Sequence, residues 1–312
     1  MTDASIGWLA LSTSLLAAST YNVFAKILSP AFSPLSLVFV SECIVLLSVL
    51  LSFGAMPIAR MFLRLSKREL QWLAVVGVLG GIVGPTLWFT GLSMTSVVSA
   101  GFYGKSGMIF TVAGAWLMLG ERSSRTHAMA MCTIMAGIAL IALRGFTEGV
   151  SLGIGDFLII AGSFSFSFGD LVLRKYIPSV HPHVTIASRS SIAIIAFLVT
   201  APFIHHTFVD EIRIMSSTLL PALIGFGFIS RFINGFMYYE ALGRLPVSTV
   251  SLVGATDVIL STAVAYAMLG EPVLWYHILG GGFVLLGTLL LETLGTKKKK
   301  KALEEHMLRK HR

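Results

Sequence analysis

Charge is what this chain has least of. Only 12% of its 312 residues are Asp, Glu, Lys or Arg, against 55% hydrophobic residues, whereas a soluble domain carries about 25% charged residues. That shortage excludes an ordinary water-soluble fold. Cysteine is nearly absent too: Cys43 and Cys132 both lie inside apolar runs, which argues against a structural disulfide or a thiolate metal site. No GxxxxGK[ST], HExxH or GxSxG occurs, so neither ATP hydrolysis nor zinc or nucleophile-elbow hydrolysis is expected, and no cofactor is called for. His205 and His206 have no further ligands at metal-binding spacing. The net charge of +8 sits at the ends of apolar runs and in the tail, so it predicts no nucleic-acid partner. The first apolar run is long and lacks a basic leader, and reads as a retained span.

Apolar length is abundant. Ten segments, at roughly 6–28, 34–53, 70–92, 96–118, 125–144, 152–173, 184–204, 219–241, 247–268 and 275–294, can each cross about 30 Å of hydrocarbon as a helix. They are spans 1 to 10 below, and they predict an all-α integral membrane protein embedded in the lipid bilayer. The longest connections, about 54–69 and 205–218, hold no soluble domain. The tail, 296–312, opens on Lys297 to Lys301 and reads as a solvated basic anchor.

One stretch occurs twice. Gly91 to Glu121 realigns with Ala241 to Glu271 at an offset of 150, with 10 of 31 positions identical and both copies closing on Met-Leu-Gly-Glu. Such self-similarity marks a duplication. The first helices of the halves agree more weakly: Asn22, Lys26 and Pro30 match Asp170, Arg174 and Pro178 at an offset of 148. The halves are 1–148 and 149–295. With the N-terminus in the cytosol, inner loops and tail hold 17 of the 23 basic residues and outer loops only Arg144 and Arg213. That bias places both termini in the cytosol, and in a bacterial cell the membrane would be the inner one. Five helices per half is an odd number, so the second half enters the membrane inverted. Inverted repeats place a substrate site near the midplane, between halves that rock to alternate access.

With these features the chain resembles the drug/metabolite transporter superfamily, EamA type. The resemblance rests on the two five-helix halves and on Leu119–Glu121 and Leu269–Glu271 closing the fourth and ninth helices. Leu87 to Thr95 (LWFTGLSMT) and Tyr239 to Leu245 (YEALGRL), which lead into them, carry it as well. It implies helices around a central cavity and carriage of amino acids, nucleobases, sugars or other small metabolites. It supplies no universal binding residues.

Candidates therefore come from charge at membrane depth, which costs about 2.5–3.5 kcal/mol on insertion scales and needs a reason. The deepest are Lys105 in span 4, Arg231 in span 8 and Asp257 in span 9, with Glu42 in the outer part of span 2. Position 105 maps to 255 in the repeat, two residues before Asp257. Gly101, Gly104, Gly107 and Gly114 give span 4 a small-residue face for close helix approach. Lys105 and Asp257 are thus expected to meet near the pseudo-twofold axis, either as substrate ligands or as an ion pair that holds the helices. Arg231, Asn234 and Tyr238 share one helical face. That stripe suits a carboxylate or phosphate, or Arg231 partners Glu42 or Asp257. Glu42 is a candidate proton-coupling carboxylate or a counter-ion. Tyr21 and Asn22 in span 1, and Trp88 after a proline kink at Pro85, are candidate cavity-wall residues. Lys26 and Arg189 read as snorkelling to the headgroups, and Asp170 as a local ion pair with Arg174 and Lys175.

The expected function is secondary transport of a small polar metabolite, with amino-acid export as the first reading, by a monomer or homodimer. The charges of Lys105, Arg231, Glu42 and Asp257 sum to zero, which favours a zwitterionic or neutral substrate. An antiporter for phosphorylated or nucleotide-linked sugars is the rival within transport; a lipid-modifying membrane enzyme is the rival outside it.

Overall fold

The structure is a computed structural model that describes residues 2–95, 97–121, 125–143, 153–204, 208, 210–254, 256–270, 273–287 and 289–290. The tail 296–312, Arg122, Arg144, His205, His206 and Glu271 lie outside the described residues. Within them the chain is helical throughout, with no strand.

The packing is inside-out relative to a soluble domain. Leu51, Leu63 and Phe203 are about four-fifths exposed on the outer surface, while Glu42 and Arg231 lie within. An apolar exterior of that extent belongs in lipid. Spans 2 (Pro34–Phe53), 6 (Ile154–Tyr176) and 7 (Pro182–Ile204) are regular helices. Span 5 is Arg125–Ala142, and span 10 contains the apolar helix Trp275–Gly287.

The other spans are interrupted, and the interruptions repeat. Span 3 runs from Lys67–Gly77 through a π-helical Val78–Val83 into Gly84–Met94. Span 8 runs from Leu220–Gly225 through a π-helical Phe226–Ile233 into Asn234–Arg244. Adding 150 to 78–83 falls inside the second π segment. Span 4 breaks at Lys105, between Val97–Gly104 and Ser106–Leu119. Span 9 divides at the equivalent place, between Val247–Gly254 and Asp257–Leu269. Span 1 breaks at Ser19 and Thr20, between Asp3–Ala18 and Tyr21–Leu28.

Irregular backbone at membrane depth frees carbonyls that need donors. The serines of Ser163 to Phe168 supply two: Ser165 Oγ donates to Leu79 O (3.0 Å) in the π segment, and Ser167 Oγ to Gly107 O (2.8 Å) beside the break in span 4. Phe164 and Phe168, which flank these two serines, face outward.

The shared Met-Leu-Gly-Glu also has a physical reading. Gly120 and Gly270 end spans 4 and 9 at φ +67° and +66°, a left-handed stop that favours glycine. Glu121 then reaches across the repeats: its carboxylate accepts from Val247 N (3.0 Å), Ser248 N (3.2 Å) and Ser248 Oγ (2.6 Å), capping the start of span 9.

Candidate functional site

A central cavity of about 350 Å³ lies where the interrupted spans meet. Residues from both halves line it, among them Tyr21, Asn22, Trp88, Lys105, Arg231 and Asn234, together with Tyr238 and Asp257. A smaller chamber of about 180 Å³ opens behind Lys105, Trp88 and Phe166.

Lys105 and Asp257 form an ion pair across the cavity, both partly accessible. The breaks place them there. Lys105 occupies the junction of the two halves of span 4, and Asp257 begins the second half of span 9, where the helix dipole favours its charge. Of the span 4 glycines, Gly104 packs on Trp88, Gly107 on Ser163 and Ser167, and Gly114 on Leu171, whereas nothing stands within 4 Å of a Cβ at Gly101, which borders the cavity.

The stripe on span 8 does not act as a unit. Arg231 bonds Glu42 and donates to Ser41 Oγ (3.0 Å). Asn234 accepts from Ser14 Oγ (2.8 Å) and donates to Ser230 O (3.2 Å). Tyr238 donates to Asp170 Oδ2 (2.7 Å). Each side chain holds a different span, because Arg231 lies in the π segment and the other two in the α-helix after it. Glu42 lies in the first half of its helix, close to the middle, and is fully buried. It also accepts from Ser190 Oγ (2.6 Å) and stands 3.8 Å from Arg189.

Two corrections follow. Arg189 does not snorkel; Gly80 and Gly81 of the span 3 π segment leave room for its stem, and its head reaches the cavity. Asp170 makes no local ion pair. Arg174 donates instead to Gly243 O (2.8 Å), and Asp170 faces the cavity with Tyr238 as its hydrogen-bond donor. Both had a signal in the sequence. Asp170 is the repeat mate of Asn22, and Arg189 sits in the polar run Ser188 to Ser191, seven residues beyond the start of its helix.

The chain resembles known proteins over nearly its whole length. The EamA-like transporter family matches residues 5–143 and again 153–293, nearly the whole chain in two copies. The chain belongs to this family. An uncharacterized transporter of Synechocystis sp. is 22% identical over 77% of this chain and 70% of its own length. YcxC, an uncharacterized transporter of Bacillus subtilis, is 23% identical over 75% and 77% respectively. A crystal structure superposes with a TM-score of 0.73 over 94% of this chain and 98% of that one at 17% identity, which shows the fold alone. The protein is thus a multi-pass membrane transporter of the EamA-like family.

In this EamA-like transporter, among the described residues, three buried polar atoms beside the cavity have no hydrogen-bond partner: Asn22 Oδ1, Trp88 Nε1 and Arg189 Nε. Buried groups are ordinarily satisfied, so an acceptor and two donors here are suited to a polar ligand. The Lys105–Asp257 pair yields a direct test. Lys105→Met or Asp257→Leu alone is expected to lower the thermal midpoint in detergent, and the double variant to restore it. Flux of the double variant is expected to recover with the midpoint, because the two charges are committed to each other. A double variant that regains its midpoint but stays roughly 10- to 100-fold below wild type in flux, the worth of a lost charge-assisted contact, would place the pair on the substrate instead.

Proposed function

We propose that this transporter exports neutral amino acids and related zwitterions by alternating access, with both termini in the cytosol of a plasma-membrane-bound cell and no chemistry performed on the cargo. One observation carries the reading: the cavity holds one incompletely paired cation and one incompletely paired anion. Lys105 is matched by Asp257. Glu42 carries a single charge against two guanidinium groups, Arg231 in contact and Arg189 at 3.8 Å. Asp170 has a neutral phenol as its hydrogen-bond partner. A carboxylate on the substrate suits Arg189, and its ammonium suits Asp170. A volume near 350 Å³ is at the small end for ligand pockets. Phosphorylated sugars fit less well, because Arg231 and Lys105 are already committed to carboxylates.

Purified protein in liposomes tests this by counterflow. Neutral amino acids are expected to exchange saturably. Analogues lacking either the carboxylate or the ammonium should compete roughly 10- to 100-fold less well, the loss of one charge-assisted contact. Competition by sugar phosphates with none from amino acids would reverse the assignment, and no flux of any compound would remove it.

A further inference from the structure

We infer that Asp170 is the coupling carboxylate, and that its proton and the ammonium of the substrate occupy it alternately. The inference rests on the zwitterion reading and adds the ion that drives it. Three carboxylates border or adjoin the cavity. Glu42 is held by Arg231, Ser190 and the nearby Arg189, and Asp257 is held by Lys105. Neither can take up a proton without breaking a salt bridge. Asp170 differs. Among the described residues no cation lies within 4 Å of its carboxylate, and its hydrogen-bond donor is the Tyr238 hydroxyl. A carboxylate at membrane depth without a cation is costly as the anion, and protonation or a bound ammonium each removes the cost.

The surroundings are arranged for exchange. Asp170 lines both the central cavity and the chamber behind Lys105, so it can be reached from the space the substrate occupies. Among the described residues, the charged and titratable groups facing that space are Arg231, Tyr238 and Tyr239 of span 8, Arg189 of span 7, Lys105 of span 4, Asp257 of span 9 and Tyr21 of span 1. Lys105 is neutralised by Asp257, and Arg189 shares Glu42 with Arg231, so no neighbour claims the Asp170 charge at contact distance. On span 6 itself Arg174 is turned away to Gly243 O.

The step balances without a further reactant. When substrate ammonium arrives, the proton on Asp170 leaves to water through the open side; the ammonium neutralises the Asp170 carboxylate in its place, and the substrate carboxylate is met by Arg189. After the opposite side opens, the ammonium leaves and a proton from that side takes its place. One proton moves inward for each substrate moved outward, so a proton gradient drives export.

Proton release on binding tests this directly. Each neutral L-amino acid is added to the purified full-length protein in weakly buffered detergent, with a pH indicator reporting release. Wild type is expected to release up to one proton per bound substrate, with affinity rising as pH rises. Asp170→Asn is expected to release none and to bind roughly 10- to 100-fold more weakly, without the pH dependence. Should Asp170→Asn fail to fold, Tyr238→Phe serves. It removes the donor that favours the anion, so the midpoint of the affinity–pH profile should move to higher pH. Binding without proton release, an Asp170→Asn profile like wild type, or an unmoved midpoint in Tyr238→Phe would each overturn the exchange while leaving the substrate class intact. Failure to bind any amino acid removes the zwitterion reading, and the ammonium half of the exchange with it.

Discussion

Glu42→Gln, at a fully buried side chain behind the cavity wall, is expected to unfold the transporter more readily than any single change in the wall itself. The substitution keeps the shape of the side chain but leaves Arg231, which is almost wholly buried, and Arg189 beside each other with no counter-charge. Removing one partner of a buried pair typically costs about 3–5 kcal/mol, because the remaining charge is left without compensation. Here two charges remain. Thermal unfolding in detergent should show a large drop in midpoint and little protein recovered from the membrane. Adding Arg231→Met should return most of the loss, since Arg189 keeps access to the cavity. An unchanged midpoint in Glu42→Gln would mean that the carboxylate does not hold spans 2, 7 and 8 together.

Gly91→Val should be nearly as damaging for a different reason. A Cβ at Gly91 would stand 2.6 Å from Gly155 O and 3.0 Å from Ile159 N; one at Gly155 would stand 2.9 Å from Gly91 O. Spans 3 and 6 touch backbone to backbone there, as small residues allow in membranes. Neither side can yield by rotating a side chain, so the helices must separate. Overpacking of this kind costs about 1–3 kcal/mol and sometimes more. It would also displace Trp88 from Phe166, since those residues face each other across the same two spans, with ring centroids 6.3 Å apart. Gly243→Ala is the control: nothing lies within 4 Å of a Cβ there, and alanine favours the helix. Equal stability of Gly91→Val and Gly243→Ala would refute the close crossing.

The membrane class, the helical fold and the duplication follow from apolar length and the 150-residue offset alone. So does the convergence of Lys105 and Asp257, because a repeat fixes equivalent depths in its two copies. Helical periodicity likewise places Arg231, Asn234 and Tyr238 on one face of span 8. What periodicity cannot supply is the identity of the helix opposite each of them. The π segment, Phe226–Ile233, changes the angular step between Arg231 and Asn234, so a stripe read at 3.6 residues per turn divides among three partners.

The same limit explains Asp170 and Arg189. Their positions were readable, one as the mate of Asn22 and the other in a polar run, but their local sequence offered nearer explanations: Arg174 and Lys175 for the first, the headgroups for the second. Tertiary structure decided otherwise, by sending Arg174 to a carbonyl of span 8 and by opening a path for Arg189 past Gly80 and Gly81. Composition determined that every buried charge in this protein would need a reason. Which charges neutralise one another, and which are left incompletely paired beside the cavity, depends on distances between helices far apart in the chain, and those exist only once the halves have packed.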